Sequence, residues 1–233
     1  MLVANNESEL ENVLRNIDIS VPRRSEGRTK EHAERYAIAH LLSALLGKDR
    51  LSYPLELIQR ERPDFLIEAN GVQIGVEHTE AVPQNDAHKA ALRDKVAGPK
   101  VYFISRHQPG EPRKPAKKLI EEIQANHSGP GWEGDSVERE WTEAILYFVK
   151  NKIETLEKEG FEKFKRNWLL IYDNWPLPAL DRKKAAQFLF PKIVESNCFD
   201  NFDIVYVITG NLVLEFSNSG VVRHKINNLW KIS

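Results

Sequence analysis

The sequence predicts a mixed α/β (α+β) fold, a central mixed β-sheet flanked by helices, and three observations carry that expectation. Segments with apolar residues at helical spacing alternate with short apolar runs. Two pairs of such runs are joined by two-residue turns, Asn70-Gly71 and Gly210-Asn211. The run WLLIYDNW, Trp168 to Trp175, is short and continuously apolar, as a strand buried on both faces must be.

The elements follow in chain order. Residues 5 to 18 form a short amphipathic helix, and residues 29 to 47 (TKEHAERYAIAHLLSALLG) a longer one ending near Gly47. A hairpin spans about residues 63 to 80, and Pro83 closes its second strand. Residues 85 to 97 read as helix and VYFIS, Val101 to Ser105, as another short strand. Residues 106 to 135 are a loop-rich insertion around one helix, with HQPGEPRKP and HSGPGWEGD as its irregular ends. A long helix over 136 to 158 leads to the Trp168 strand, followed by a helix over 180 to 196. DIVYVIT and LVLEFS then flank the second turn, and VVRHKI adds an edge strand. No repeat and no long linker interrupts the series, so residues 1 to 233 are expected to form a single domain.

With 233 residues, 41% of them hydrophobic, the chain can bury a sizeable core. A single cysteine and an N-terminus without a basic start and apolar segment favour a cytoplasmic location, and no apolar run approaches the length of a membrane span. The net charge of −1 argues against a wholly basic nucleic-acid binder, but the basic residues are clustered. Arg23, Arg24, Arg28, Lys30 and Arg35 gather near the first long helix; Arg106, Arg113, Lys114, Lys117 and Lys118 crowd the insertion. Each group is suited either to phosphate contact or to a solvated face.

The first hairpin concentrates the chemistry. With Asn70-Gly71 as the turn, Ala69 faces Val72, Ile67 faces Ile74, Phe65 faces Val76, and Asp64 falls opposite Glu77. Strand alternation puts Asp64, Glu77 and Thr79 on one face and an apolar set on the other, with Gly75 leaving room beside Glu77 for a ligand or a second backbone. Directly opposed like charges are destabilising. A hard cation, Mg²⁺ or Mn²⁺, reverses that; so does a shared proton, and Asp64 capping the strand with Glu77 exposed to solvent avoids the conflict. His78 alternates onto the core face, which favours a buried, hydrogen-bonded side chain. No zinc spacing, cysteine cluster or phosphate-binding glycine motif is present, and the five tryptophans suit packing or base stacking.

Pro63-Asp64, followed across the hairpin by Glu77-His78-Thr79, resembles the signature of the PD-(D/E)xK nuclease superfamily. The resemblance implies a restriction-endonuclease-like core in which Asp64 and Glu77 hold Mg²⁺ or Mn²⁺. Thr79 stands where that family carries its lysine. The family's preceding helix often supplies a further Glu; here Glu34 opens a stripe with Ile38, Leu41 and Leu45, and Glu34-Arg35 resembles the Glu-Arg pair of resolvase-like members. Glu34 is therefore either a third metal ligand or a surface partner of Arg35 or Lys30.

On the helix from Ser136, Lys152 interrupts the apolar stripe of Trp141, Ile145, Phe148 and Leu156. It must snorkel or meet an acid. Some family members carry their lysine on a neighbouring helix, and Lys152 is the candidate, ahead of Lys150. The implied activity is metal-dependent phosphodiester hydrolysis, with Asp64, Glu77 and Lys152 catalytic and with Arg28, Lys30, Arg113, Lys114 and Lys117 on nucleic acid. DNA is the expected substrate, bacterial defence or repair the expected setting, and a second copy of the chain a candidate partner. The alternative, favoured by Thr79, is an inactive nuclease-fold protein that binds nucleic acid or a partner protein.

Overall fold

The computed structural model describes residues 2–99, 101–158 and 162–230. In chain order these form β1 (Leu2–Ala4), α1 (Glu7–Arg15), α2 (Lys30–Leu45), β2 (Leu55–Gln59), β3 (Phe65–Ala69), β4 (Val72–Ala81), α3 (Gln84–Arg93), α4 (Ala116–Ala125), α5 (Ser136–Leu156), β5 (Arg166–Asp173), α6 (Arg182–Glu195), β6 (Ile204–Thr209), β7 (Leu212–Ser217) and β8 (Gly220–Lys225). The strands make one sheet whose spatial order is the chain order. Strands β1 to β4 pair antiparallel, β4, β5 and β6 pair parallel, and β7 and β8 return antiparallel.

Turn chemistry accounts for the antiparallel parts. Asn70 and Gly71 both adopt positive φ, 48° and 78°, as a type I′ turn requires, and this fixes Phe65 opposite Val76 and Ile67 opposite Ile74. The parallel joins need long crossovers: α3, α4 and α5 lie between β4 and β5, and α6 lies between β5 and β6.

Each face of the sheet has its own core. On one, Ile38, Leu41, Leu42 and Leu45 of α2 pack on Leu55, Phe65, Ile67, Val76, Trp168, Leu170 and Tyr206. On the other, Trp141, Ile145 and Val149 of α5 and Leu189 and Ile193 of α6 cover Leu169, Ile171, Val205 and Val207. Successive residues of β5 thus enter opposite cores, which is why that strand reads as an unbroken apolar run. Each fully buried Leu or Ile contributes about 1.5–3 kcal/mol through area removed from water.

The structure departs from the sequence expectations in places. Strands β1 and β2 were not foreseen; one is three residues long and the other follows directly on Pro54. VYFIS is not a strand. Residues 101–105 join no strand of the sheet and are held instead by Asn126, which accepts from the Phe103 N–H at 3.1 Å and donates to the Val101 carbonyl at 2.9 Å. Helix α3 ends at Arg93 rather than 97. Residues 106–135 contain α4 between irregular segments, and Asn85 ties that region to α3 by donating to Glu111 and the Pro112 carbonyl and accepting from the Lys114 N–H.

Strand β4 is ten residues long and outruns β3, whose pairing ends at Phe65 with Val76. From Glu77 onward β4 is paired with β5 on one side only. The notch this leaves in the sheet positions the site.

Candidate active site

Asp64 fills the notch. Its Oδ2 accepts the backbone N–H of His78 at 2.7 Å, replacing the ladder bond that β3 no longer provides. The other oxygen, Oδ1, accepts from Lys30 Nζ at 2.5 Å. Glu77 lies beside it, its Oε2 accepting from Lys152 Nζ at 2.7 Å, and the same ammonium is 3.7 Å from Asp64 Oδ2. One helical turn after Lys30, Glu34 projects from α2 with Oε2 accepting from Gln59 Nε2 at 2.9 Å and Oε1 2.8 Å from Lys30 Nζ. Asp64, Glu77 and Glu34 are only 2%, 5% and 2% exposed.

The hairpin register holds, but the shared face needs correction. Lys30 and Glu34 approach Asp64 from the α2 layer while Lys152 approaches from the α5 layer, so the Asp64 carboxylate lies in the plane of the sheet rather than on one side of it. The pairing of residues fixes which are opposite. It does not fix the rotation of a side chain just beyond the strand's end. Glu34 does pair with Lys30, one of the two partners expected for it, but it is buried and not at the surface, and no ion pair joins it to Arg35 among the described residues. The space beside Gly75 is taken by protein: a Cβ there would stand 2.7 Å from Phe164 Cδ2 and 3.3 Å from Pro63 Cγ.

Charges at the site shape its titration. Burial pushes the Asp64 carboxyl up, but the Lys152 charge, the Lys30 hydrogen bond and the His78 N–H together outweigh it and hold it below the usual range. For Glu77 burial wins, aided by repulsion from Asp64, and its carboxyl is raised despite Lys152. Burial alone would lower Lys30, yet its contacts with Asp64 and Glu34 raise it. Two adjacent carboxyls with opposite shifts are a recurrent property of sites that move protons. His78 is buried, its pKa pushed down to about 4 chiefly by desolvation, and its Nε2 lacks a hydrogen-bond partner.

Among the described residues no group of three or more His, Cys, Asp or Glu stands ready to hold a metal ion, and two ammonium groups lie among the acids. The donor set nevertheless suits a hard cation: Asp64, Glu77 and Glu34 offer carboxylate oxygens only. Glu34 Oε1 is buried, and the ammonium of Lys30 at 2.8 Å is its sole charged neighbour among the described residues.

The remaining candidates divide. Arg28 is committed to Glu80 at 2.8 Å, alongside Arg24 at 2.9 Å and Asn174 at 2.7 Å. Lys30 joins the acid cluster rather than an open basic surface. Lys114 pairs with Glu122 at 2.6 Å, and Arg113 and Lys117 are exposed on the insertion; no contact among the described residues brings these three to the acids. Trp141, Trp168 and Trp175 are buried and serve as packing. Gln59 and the His78 N–H were missed. The first carries no motif, whereas the second follows from β4 outrunning β3 and needs the register to be known. The i, i+4 spacing of Lys30 and Glu34 was a usable signal for their pairing. Comparison with protein-family models, with curated proteins and with solved structures finds no match to this chain.

Proposed function

We propose that the protein is a metal-dependent nuclease that hydrolyses phosphodiester bonds in nucleic acid, DNA before RNA, and that its resemblance to the PD-(D/E)xK superfamily reflects that activity. One observation carries the reading. Asp64, Glu77 and Lys152 come from a strand entry, a strand and a distant helix, yet the ammonium lies 2.7 Å from one carboxylate and 3.7 Å from the other. Burying two carboxylates side by side is unfavourable for folding alone, so the arrangement is better explained by chemistry.

Asp64 and Glu77 would hold Mg²⁺ or Mn²⁺, with Glu34 completing the set. When bound, such an ion lowers the pKa of a coordinated water and neutralises phosphate charge. Lys152 Nζ supplies a fixed donor next to Glu77, placed to orient the attacking water and to stabilise negative charge as it develops. The His78 N–H holds Asp64 Oδ2, so that carboxylate is oriented before any ligand arrives. Gln59 does the same for Glu34.

We place the activity in the cytoplasm, in bacterial defence or repair, with nucleic acid as partner and a second copy of the chain as a further one; no described helix is long and apolar enough to cross a membrane. Thr79 at the family's lysine position favours a second reading, an inactive nuclease-fold protein that binds nucleic acid or a partner protein. Cleavage of labelled single-stranded DNA, duplex DNA and RNA in Mg²⁺ and Mn²⁺, with chelator and Glu77→Gln as controls, separates the two. Cleavage lost in both controls is expected. Folded wild type that cleaves none of the three in either metal transfers support to the second reading.

A further inference from the structure

We propose that Lys30 is a built-in stand-in for a cation: its ammonium fills the bay between Glu34 and Asp64 and is displaced when a divalent ion takes the same carboxylates. The inference rests on the nuclease reading's metal site and adds a residue that competes with the metal.

The two lysines at the site differ in kind. Lys152 reaches the acids from within the α5 stripe and its side chain is 20% exposed. Lys30 begins α2, its side chain is 65% exposed, and its flexible stem can swing into solvent without disturbing the core. Its position does not serve the helix, since a positive charge in the first turn opposes the helix dipole. What holds it there is the pair of acids, at 2.5 Å and 2.8 Å.

The fit to Glu34 is exchangeable. Gln59 fixes Oε2, which leaves Oε1 buried and facing the bay with the exposed Lys30 ammonium as its charged partner at 2.8 Å. A divalent cation in the same place meets the same carboxylate oxygens with twice the charge. Formal charge agrees. Glu34, Asp64 and Glu77 carry three negative charges against the two positive charges of Lys30 and Lys152; with Lys30 withdrawn the balance is that of one divalent ion. Apparent metal affinity is then reduced by the fraction of molecules in which Lys30 has vacated the bay.

The test is Mn²⁺ binding to the full chain, read from the electron paramagnetic resonance of the free ion, for wild type, Lys30→Met and Lys30→Gln. Thermal unfolding without metal accompanies it. Both variants are expected to bind Mn²⁺ about tenfold more tightly, as follows if Lys30 occupies the bay about nine-tenths of the time, and to melt lower than wild type without metal. A merely structural lysine would give the second change and not the first. Wild type that binds Mn²⁺, with variants binding equally or more weakly, overturns the inference and leaves the nuclease reading standing. Absence of Mn²⁺ binding in all three overturns both.

Discussion

Replacing Lys152 by Met removes the charge that allows Asp64 and Glu77 to lie side by side while keeping an apolar stem of similar length in the α5 stripe. At 2.7 Å and 3.7 Å, and with an effective dielectric of about 20, the lost attractions are about 6 and 4 kcal/mol before desolvation is subtracted. Leaving a buried partner unpaired typically costs about 3–5 kcal/mol, and Lys30 still neutralises part of the cluster, so about 3 kcal/mol at pH 7 is expected. For a chain of this size that lowers Tm by about 6–12 °C. The pH dependence has a definite sign. In wild type the depressed Asp64 pKa contributes stability above the ordinary carboxylate range that is lost as pH falls through the lowered value. In Lys152→Met both carboxyls move up, Glu77 from a pKa already raised, so the folded variant binds more protons than its unfolded chain and gains stability as pH falls. The gap between the two proteins should therefore narrow by about 1 kcal/mol or more from pH 7 to pH 5. Urea unfolding followed by far-ultraviolet circular dichroism, with chelator present, measures it. Equal stability at pH 7, or a gap unchanged at pH 5, would refute the electrostatic account of the cluster.

Other perturbations follow from the same geometry. Mn²⁺ at a hundredfold excess over Kd should stabilise wild type by about 2.7 kcal/mol and Asp64→Ala far less, a difference that thermal shift detects; equal shifts would put the ion elsewhere. Gly75→Ala brings a methyl against the Phe164 ring and Pro63, and a loss of about 1–3 kcal/mol in urea unfolding is expected, whereas an unchanged midpoint would mean the ring moves freely. Trp141→Phe deletes the 2.8 Å hydrogen bond from the indole N–H to Asp173 Oδ2, a group whose pKa burial already raises, and should cost about 1–3 kcal/mol at pH 7 by the same assay; a change under about 0.5 kcal/mol would mean that water replaces the donor.

Much of the arrangement was legible because it depends on local rules. Asn70-Gly71 fixed the register, the register set Asp64 beside Glu77 just past the last ladder pair, and helical spacing alone brought Lys152 onto the buried stripe of α5. What stayed hidden depends on where elements end. The β-prone VYFIS is held by Asn126 and not by a strand, and Pro54 masked the start of β2. The in-plane position of Asp64 arises from β3 beginning only at the residue after it while β4 continues past their last pair. Lys30, read among basic residues suited to phosphate, turned inward because two acids distant from each other in the chain converge on it.

Single-turnover hydrolysis of a labelled duplex in Mg²⁺ tests the central claim most directly, comparing wild type with Asp64→Asn and Lys152→Met. Metal-dependent cleavage by wild type is predicted, with a fall of at least about a hundredfold in each variant, in line with the loss of one group that stabilises developing charge. Cleavage by Asp64→Asn and Lys152→Met at the wild-type rate would contradict the assignment of the notch as the active site.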